Sequence, residues 1–249
     1  MMQIFLCIDD TDNIDSKGTG SIASEIASFI EEKGWGKSQS ITRHQLFVHP
    51  DIPYTSHNSS MCFTVDLYGE YLEEVIGGAI RILEIESAEG SDPGLCIFVP
   101  EQLSQHQHQQ LIDFGQKAKR EVLTKSDAYQ LAESLSIHLS EHGGDGQGVI
   151  GALAGVGLRL SGNDGRFKGH HRMNEDKKSF TVKEILDYKA IDLVRTEAGL
   201  ILKETEEVEI GEKVKSVYLD HKSVLLVESM EKDGVYYWQP CEGKKLKKY

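Results

Sequence analysis

Apolar positions along the chain follow two spacings. Ile4, Phe5, Leu6 and Ile8 form one short dense run, residues 60–67 (SMCFTVDL) a second, and Leu95 to Val99 a third. Runs of this length and density read as buried strands. Between them the apolar residues recur three or four apart. Ile22, Ile26, Phe29 and Ile30 lie on one face of a helix predicted over about Thr19 to Lys33, with Thr19 as N-cap and Gly34 as its C-terminal stop. Leu72, Val75, Ile76, Ala79, Ile80 and Leu83 make one continuous stripe and predict a second helix. Residues 38–48 are strand-like, and residues 49–58 (HPDIPYTSHN), with two prolines, form a structured loop. The order strand, helix, strand, strand, helix, strand predicts an α/β (α+β) layered domain over the first hundred residues. Two more helices follow by the same criterion. One runs from about 103 to 123, with Leu111, Phe114, Ala118 and Val122 on one side. The other runs from Ser126 to His142, with Ala128, Leu131, Ala132, Leu135 and Leu139 as its stripe.

The pattern then changes. Gly143-Gly144-Asp145-Gly146-Gln147-Gly148 opens onto a stretch rich in small residues, including Gly151, Ala152, Ala154 and Gly155. Glycines permit positive φ and close backbone approach. Backbone N–H groups at Gly146 and Gly148 could cradle an anion at the helix start, or the small residues could serve a tight helix–helix joint. The loop has neither a Walker Lys-Ser/Thr ending nor a GxGxxG frame after a strand. After the turn Gly162-Asn163-Asp164-Gly165 comes a basic patch, Arg166, Lys168, His170, His171 and Arg172. It reads either as a phosphate grip or as a solvated loop. A short helix (181–188, TVKEILDY) follows. Beyond it, brief alternating runs predict an all-β module of four to six strands.

Composition narrows the classes. The chain has 249 residues and a net charge of −13, which disfavours general nucleic-acid binding but not a local basic patch. No apolar run approaches the roughly 20 residues of a membrane span. The N-terminus has no basic region ahead of its short apolar run, so it does not read as a signal peptide. Cys7, Cys62, Cys96 and Cys241 form no CxxC pair; the first three sit in apolar runs. They read as reduced core cysteines of a cytoplasmic protein. The composition leaves monomer and oligomer both open.

Candidate chemistry concentrates where the first strand ends. Asp9, Asp10 and Asp12 follow it directly, and then the loop Lys17-Gly18-Thr19-Gly20. Carboxylates this close repel one another unless a cation or hydrogen-bond donors compensate. Mg²⁺ takes oxygen ligands, usually one or two carboxylates plus substrate phosphates. The start of the next helix suits a phosphate. A metal–nucleotide site is one reading; a solvated Asp/Asn/Gly turn is the other.

Four stretches in order resemble the archaeal tRNA agmatidine synthetase (TiaS) family, which modifies a cytidine in the anticodon of an isoleucine tRNA. They are Ile8-Asp9-Asp10-Thr11-Asp12; Arg43…Leu46…Pro50-Asp51-Ile52-Pro53-Tyr54…Asn58; Ser91-Asp92-Pro93-Gly94; and Gly146-Gln147-Gly148-Val149-Ile150-Gly151-Ala152-Leu153-Ala154. The resemblance spans roughly residues 3–170. It implies a kinase-like ATP-binding domain (1–124), a ferredoxin-like domain (125–190) and then the small β module (191–249). It further implies that Mg-ATP binds at the aspartates, that a phosphoryl group is transferred, and that agmatine then displaces phosphate from the activated cytidine. On that footing Asp9, Asp10 and Asp12 hold Mg²⁺ and serve catalysis, with Asp92 as a further ligand. Lys17, Gly18, Thr19 and Gly20 take the phosphates, and Arg43 and Asn58 complete the pocket. Two departures limit the inference. The chain offers no cysteine pair for the family's zinc ribbon, and Lys17-Gly18-Thr19-Gly20-Ser21 replaces a Cys-Thr-Thr-type sequence. Three functions follow: phosphoryl transfer to a small or nucleoside-like substrate, tRNA modification proper, and a non-catalytic nucleotide-binding module.

Overall fold

The computed structural model describes residues 1–52, 58–173, 177–211 and 213–249. The chain divides into two compact units, Met1–Ser161 and Gly162–Tyr249. The predicted divisions after residues 124 and 190 fall inside these units, and the observed boundary coincides with the Gly162–Gly165 turn.

In the first unit the order is β1 (Met2–Asp9), α1 (Thr19–Glu32), β2 (Gly36–Ser38), β3 (Thr42–Gln45), β4 (Ser59–Leu67), α2 (Leu72–Glu86), β5 (Gly94–Phe98), α3 (Gln105–Ala118), α4 (Lys125–Ser134), β6 (His138–Glu141) and α5 (Gly148–Leu160). The strands run β6-β5-β1-β4-β3, with β2 also on β4, and every pairing is antiparallel. Strand β1 lies in the interior of this sheet and its residues alternate between two cores. Ile4, Leu6 and Ile8 pack with residues of α1 and α2; Phe5 and Cys7 pack with residues of α3, α4 and α5. A strand covered on both faces must be apolar throughout, which is why its sequence shows an unbroken run. Cys7, Cys62 and Cys96 are register partners across β4, β1 and β5, and all are buried free thiols. Burial pushes the Cys7 and Cys96 thiols well above their ordinary acidity range.

Several elements depart from the sequence reading. Gly18, not Thr19, is the N-cap of α1, and Thr19 is its first helical residue. Gly34 does follow the helix at φ 69°. The strand-like stretch 38–48 resolves into the end of β2 and all of β3. Helix α3 stops at Ala118, so Val122 is not on it. The helix expected over Ser126–His142 ends at Ser134; Ser136 takes a left-handed turn at φ 54°, and His138–Glu141 instead pairs with β5. Pro53 and Tyr54 lie outside the described residues.

The second unit contains β7 (Arg166–Phe167), β8 (His171–Arg172), β9 (Ser179–Thr181), α6 (Val182–Asp187), β10 (Leu193–Thr196), β11 (Glu207–Glu209), β12 (Lys213–Val214), β13 (Val217–Leu219), β14 (Lys222–Lys232) and β15 (Val235–Pro240). Among the described residues, six strands follow residue 190, within the four to six that the alternation predicts. They are organised around β14, which pairs with β13, β15 and, in parallel, β10. Strands β8 and β12 form a separate ribbon. Helix α6 starts with a reciprocal capping box between Thr181 and Glu184. Among the described residues no helix is long and apolar enough to cross a membrane.

Candidate functional site

Strand β1 delivers its last residue, Asp9, to the bottom of a cavity of about 400 Å³ within the first unit. Asp9 is only 8% exposed, and the next residue, Asp10, turns left-handed at φ 53°. A positive φ is uncommon outside glycine, though Asp tolerates it better than most. The turn carries Asp10 and then Asp12 onto the cavity wall beside Asp9, where Thr19 at the head of α1 joins them. The Thr19 hydroxyl donates to Asp12 Oδ1 at 2.8 Å and receives a hydrogen bond from Thr11 at 3.1 Å. No side chain caps α1, and its first turn carries no acidic residue.

Helix α5 packs directly against Asp9, and its glycines set how close it comes. A methyl group at Gly151 would run into the Asp9 carboxylate and lie 2.9 Å from Leu46 Cδ1. One at Gly148 would lie 2.9 Å from the Asp9 carbonyl and 2.8 Å from the Gly94 nitrogen. Gly155 sits in the same way over Cys7 and Ser60. The small-residue stretch is thus a helix-to-sheet joint. The remaining lining mixes an apolar wall (Leu46, Ile52, Ala118, Val122, Leu123, Ile150) with Thr124, Lys125, Ser126 and Gln147.

The acidic group is electrostatically strained. Burial raises the Asp9 carboxyl well above the usual range, and Asp10 and Asp12 raise it further; the Asp10 N–H and the Arg43 charge work the other way. Asp10 is pushed up to about 6 by burial and by Asp92 and Asp12. Burial and mutual repulsion therefore oppose ionisation of these carboxyls, and an oxygen-seeking cation would favour their charged form. Among the described residues no three His, Cys, Asp or Glu side chains converge as a ready-made metal cluster. The donor set fits a cation that brings most of its ligands with it, as a nucleotide-bound Mg²⁺ does.

The other predicted residues are placed as follows. Asn58 lines the cavity, but its side-chain amide donates to the Phe47 carbonyl at 2.6 Å. Arg43 lies off the lining, close enough to influence Asp9, with Nε donating to Ser59 Oγ at 2.8 Å. Lys17 turns away: Glu25 and Glu86 hold its ammonium, and neither it nor Gly18 and Gly20 are lining residues. Asp92 is not a lining residue either. Its Oδ1 accepts from the Asp145 and Gly146 N–H groups, so it fastens the glycine loop. This corrects the expected anion cradle. The Gly146 N–H reaches Asp92 Oδ1 at 3.2 Å and the Gly148 N–H reaches the Asp92 carbonyl at 3.0 Å, which leaves neither for a phosphate.

In the second unit, Arg166 and His171 are half-buried, while Lys168, His170 and Arg172 are exposed. His171 Nε2 is 2.9 Å from Ser216 Oγ. Burial, Lys215, Lys213 and Arg172 depress the His170 pKa, so the predicted patch extends across the β8–β12 ribbon, where Lys213 is the register partner of Arg172. Sequence reasoning missed the wall from Ala118 to Ser126. Val122 has the spacing of a helix-stripe residue, and Lys125 falls just ahead of the helix predicted from Ser126.

No family model matches the chain. It is 27% identical over 168 residues to the isoleucine-tRNA 2-agmatinylcytidine synthetase TiaS of Pyrococcus horikoshii, a match covering 64% of this chain and 37% of that protein. With the Archaeoglobus fulgidus synthetase of the same name it shares 32% over 163 residues, covering 64% and 36%. The chain thus spans little more than a third of the length of these relatives. Its fold matches the crystal structure of TiaS in complex with its isoleucine tRNA and ATP, with a TM-score of 0.55 at 21% identity, over 82% of this chain and 50% of that one. The chain is similar in sequence to these archaeal synthetases, and its fold is consistent with theirs.

Proposed function

We propose that the first unit binds ATP with Mg²⁺ and transfers its phosphoryl group to a carbonyl oxygen of an RNA base, so that an amine can attack that carbon and release phosphate. The observation that carries this reading is the make-up of the cavity: buried Asp9, left-handed Asp10 and Asp12 share one lining with apolar residues that include Leu46, Ile52, Val122 and Ile150. The apolar lining is suited to a nucleobase and the carboxylates to metal-bound phosphates. Bound Mg²⁺ would neutralise charge developing on the transferred group. Asp9 and Asp10 hold the cation, and Asp12 holds both the cation side and the Thr19 hydroxyl. Helix α1 has no side-chain cap, and its first residue, Thr19, lines the cavity. The relatives, named for agmatinylcytidine synthesis in an isoleucine tRNA, support RNA as acceptor and an agmatine-like amine as second substrate. The basic ribbon of the second unit is the RNA-facing surface in this reading, and the domain names kinase-like and ferredoxin-like belong to it as well.

The test is to incubate the protein with ATP and Mg²⁺, with and without bulk tRNA and agmatine, and to identify the nucleotide products. The expected outcome is RNA-dependent ATP consumption that Asp9→Asn and Asp12→Asn abolish. Unchanged consumption in both variants sinks the assignment of the site. Consumption indifferent to RNA points to a small-molecule acceptor, and binding without turnover to a nucleotide-binding module.

A further inference from the structure

The described lining of the cavity carries five carboxylates, Asp9, Asp10, Asp12, Asp51 and Glu121, and one lysine, Lys125. A polyphosphate entering it would meet far more negative than positive charge. The groups the sequence offered for phosphate are committed elsewhere, Lys17 to Glu25 and Glu86, and the Gly146 and Gly148 amides to Asp92. Lys125 stands at the first position of α4, after the Thr124 cap, and its ammonium donates to the Asp145 carbonyl at 2.6 Å and to the Glu141 carboxylate. It therefore touches the same two-residue segment, Asp145-Gly146, that Asp92 holds from the other side. The backbone there is left-handed at Gly144 (φ 52°) and Gly146 (φ 69°). A side chain at Gly146 would collide with Glu141 and come within 2.7 Å of Lys125 Nζ. The Lys125–Glu141 pair is partly exposed, with 28% and 44% of the two side chains open to solvent. Pairs of this kind contribute little and exchange partners readily.

We propose that Lys125 is the anion-recognition residue of this cavity, exchanging Glu141 for a phosphate oxygen of the bound ligand while staying on the Asp145 carbonyl. The ammonium has three donors, so it can keep the loop contact and still take the anion. The glycine loop and α5, which abuts Asp9, are thereby tied to the presence of the phosphate. This rests on the nucleotide reading above and adds a residue to it. Lys125 acts in binding and positioning.

Calorimetry on the full chain in Mg²⁺ tests the idea with three probes: ATP, adenosine and inorganic tripolyphosphate. Lys125→Met should weaken ATP and tripolyphosphate roughly tenfold or more, the loss expected for one charge-assisted hydrogen bond. Adenosine should stay within about twofold, and Lys125→Arg should recover most of the loss. Glu141→Gln, which frees the lysine, should leave phosphate binding as tight or tighter. ATP affinity unchanged in Lys125→Met overturns the inference and leaves the nucleotide reading standing. Equal loss of ATP and adenosine, or no recovery by Arg, also overturns it, by showing a merely structural role. Lysine-dependent binding of tripolyphosphate without any binding of ATP or adenosine supports the inference and removes the nucleotide reading. A wild-type chain that binds none of the three overturns both.

Discussion

Asp9 and Gly151 form one joint, and neither could be understood alone. The carboxylate is buried because α5 lies directly on it, and α5 can lie there because position 151 has no side chain. Gly151→Ala should therefore cost roughly 1–3 kcal/mol, the usual penalty for overpacking. It should also displace Asp9, so that a thermal melt shows a lowered midpoint and calorimetry shows weakened Mg-ATP binding. A normal midpoint with normal binding would mean that the helix backs away freely. At this scale the aspartates were legible because a polar triplet breaks an apolar run at the strand end. Lys125 and Asp92 were not. Their roles depend on contacts 16 to 54 residues away in the chain, with Glu141, Asp145 and Gly146, and no local pattern records such contacts.

Helices and strands were legible where one period ran unopposed. Helices α1 and α2 and strands β1, β4 and β5 fall close to where the apolar spacing puts them. The error over 126–142 has a definite cause. Leu131, Leu135 and Leu139 keep a helical spacing, but the left-handed Ser136 breaks the chain between the last two, and pairing with the exposed edge of β5 takes Leu139 into β6. That strand carries His138 and leads into His142, both bonded to Ser140 Oγ, at 3.0 and 2.8 Å. Burial depresses both histidines below their ordinary 6.5, although Glu73 and Glu84 on α2, with Glu141, pull the other way; His138 further depresses His142. The folded state therefore holds them neutral where the unfolded chain would already take up protons. Their contribution is complete above pH 6.5 and is lost as pH falls through the depressed values. Urea titrations between about pH 7.5 and 5 should show the first unit weakening. His138→Gln combined with His142→Gln should flatten that dependence; an unchanged slope would refute the assignment. In the second unit, Thr181→Ala removes the cap of α6 and should cost about 1 kcal/mol, read as a lowered melting midpoint. A midpoint unmoved by that change would mean that packing of Val182 and Ile185 alone holds the helix.

At the scale of the whole chain, the −13 net charge and the basic ribbon belong together. An acidic protein that meets RNA through a small cationic patch should bind weakly and with a steep salt dependence. The slope of affinity against salt should fall by about one for each patch lysine or arginine removed that contacts a phosphate. Lys168→Ala, Arg172→Ala and Lys213→Ala, titrated with bulk tRNA at several salt concentrations, test this. Identical slopes in all three would place the RNA elsewhere. The boundary between the two units falls at the Gly162–Gly165 turn, a signal the sequence does carry, and the placement of α5 puts it there. Its residues join the same core as β1, β4 and β5, which extends the first unit to Ser161.

The row of thiols at Cys7, Cys62 and Cys96 provides a clock. Buried sulfhydryls react with Ellman's reagent only when the protein opens, so labelling counts openings of the central strands under native conditions. A ligand that binds only the closed state lowers the open population by the factor 1 + [L]/Kd, about a hundredfold at a hundred times its dissociation constant. Mg-ATP should slow labelling of these cysteines in that proportion. The measurement needs no acceptor, no amine and no turnover.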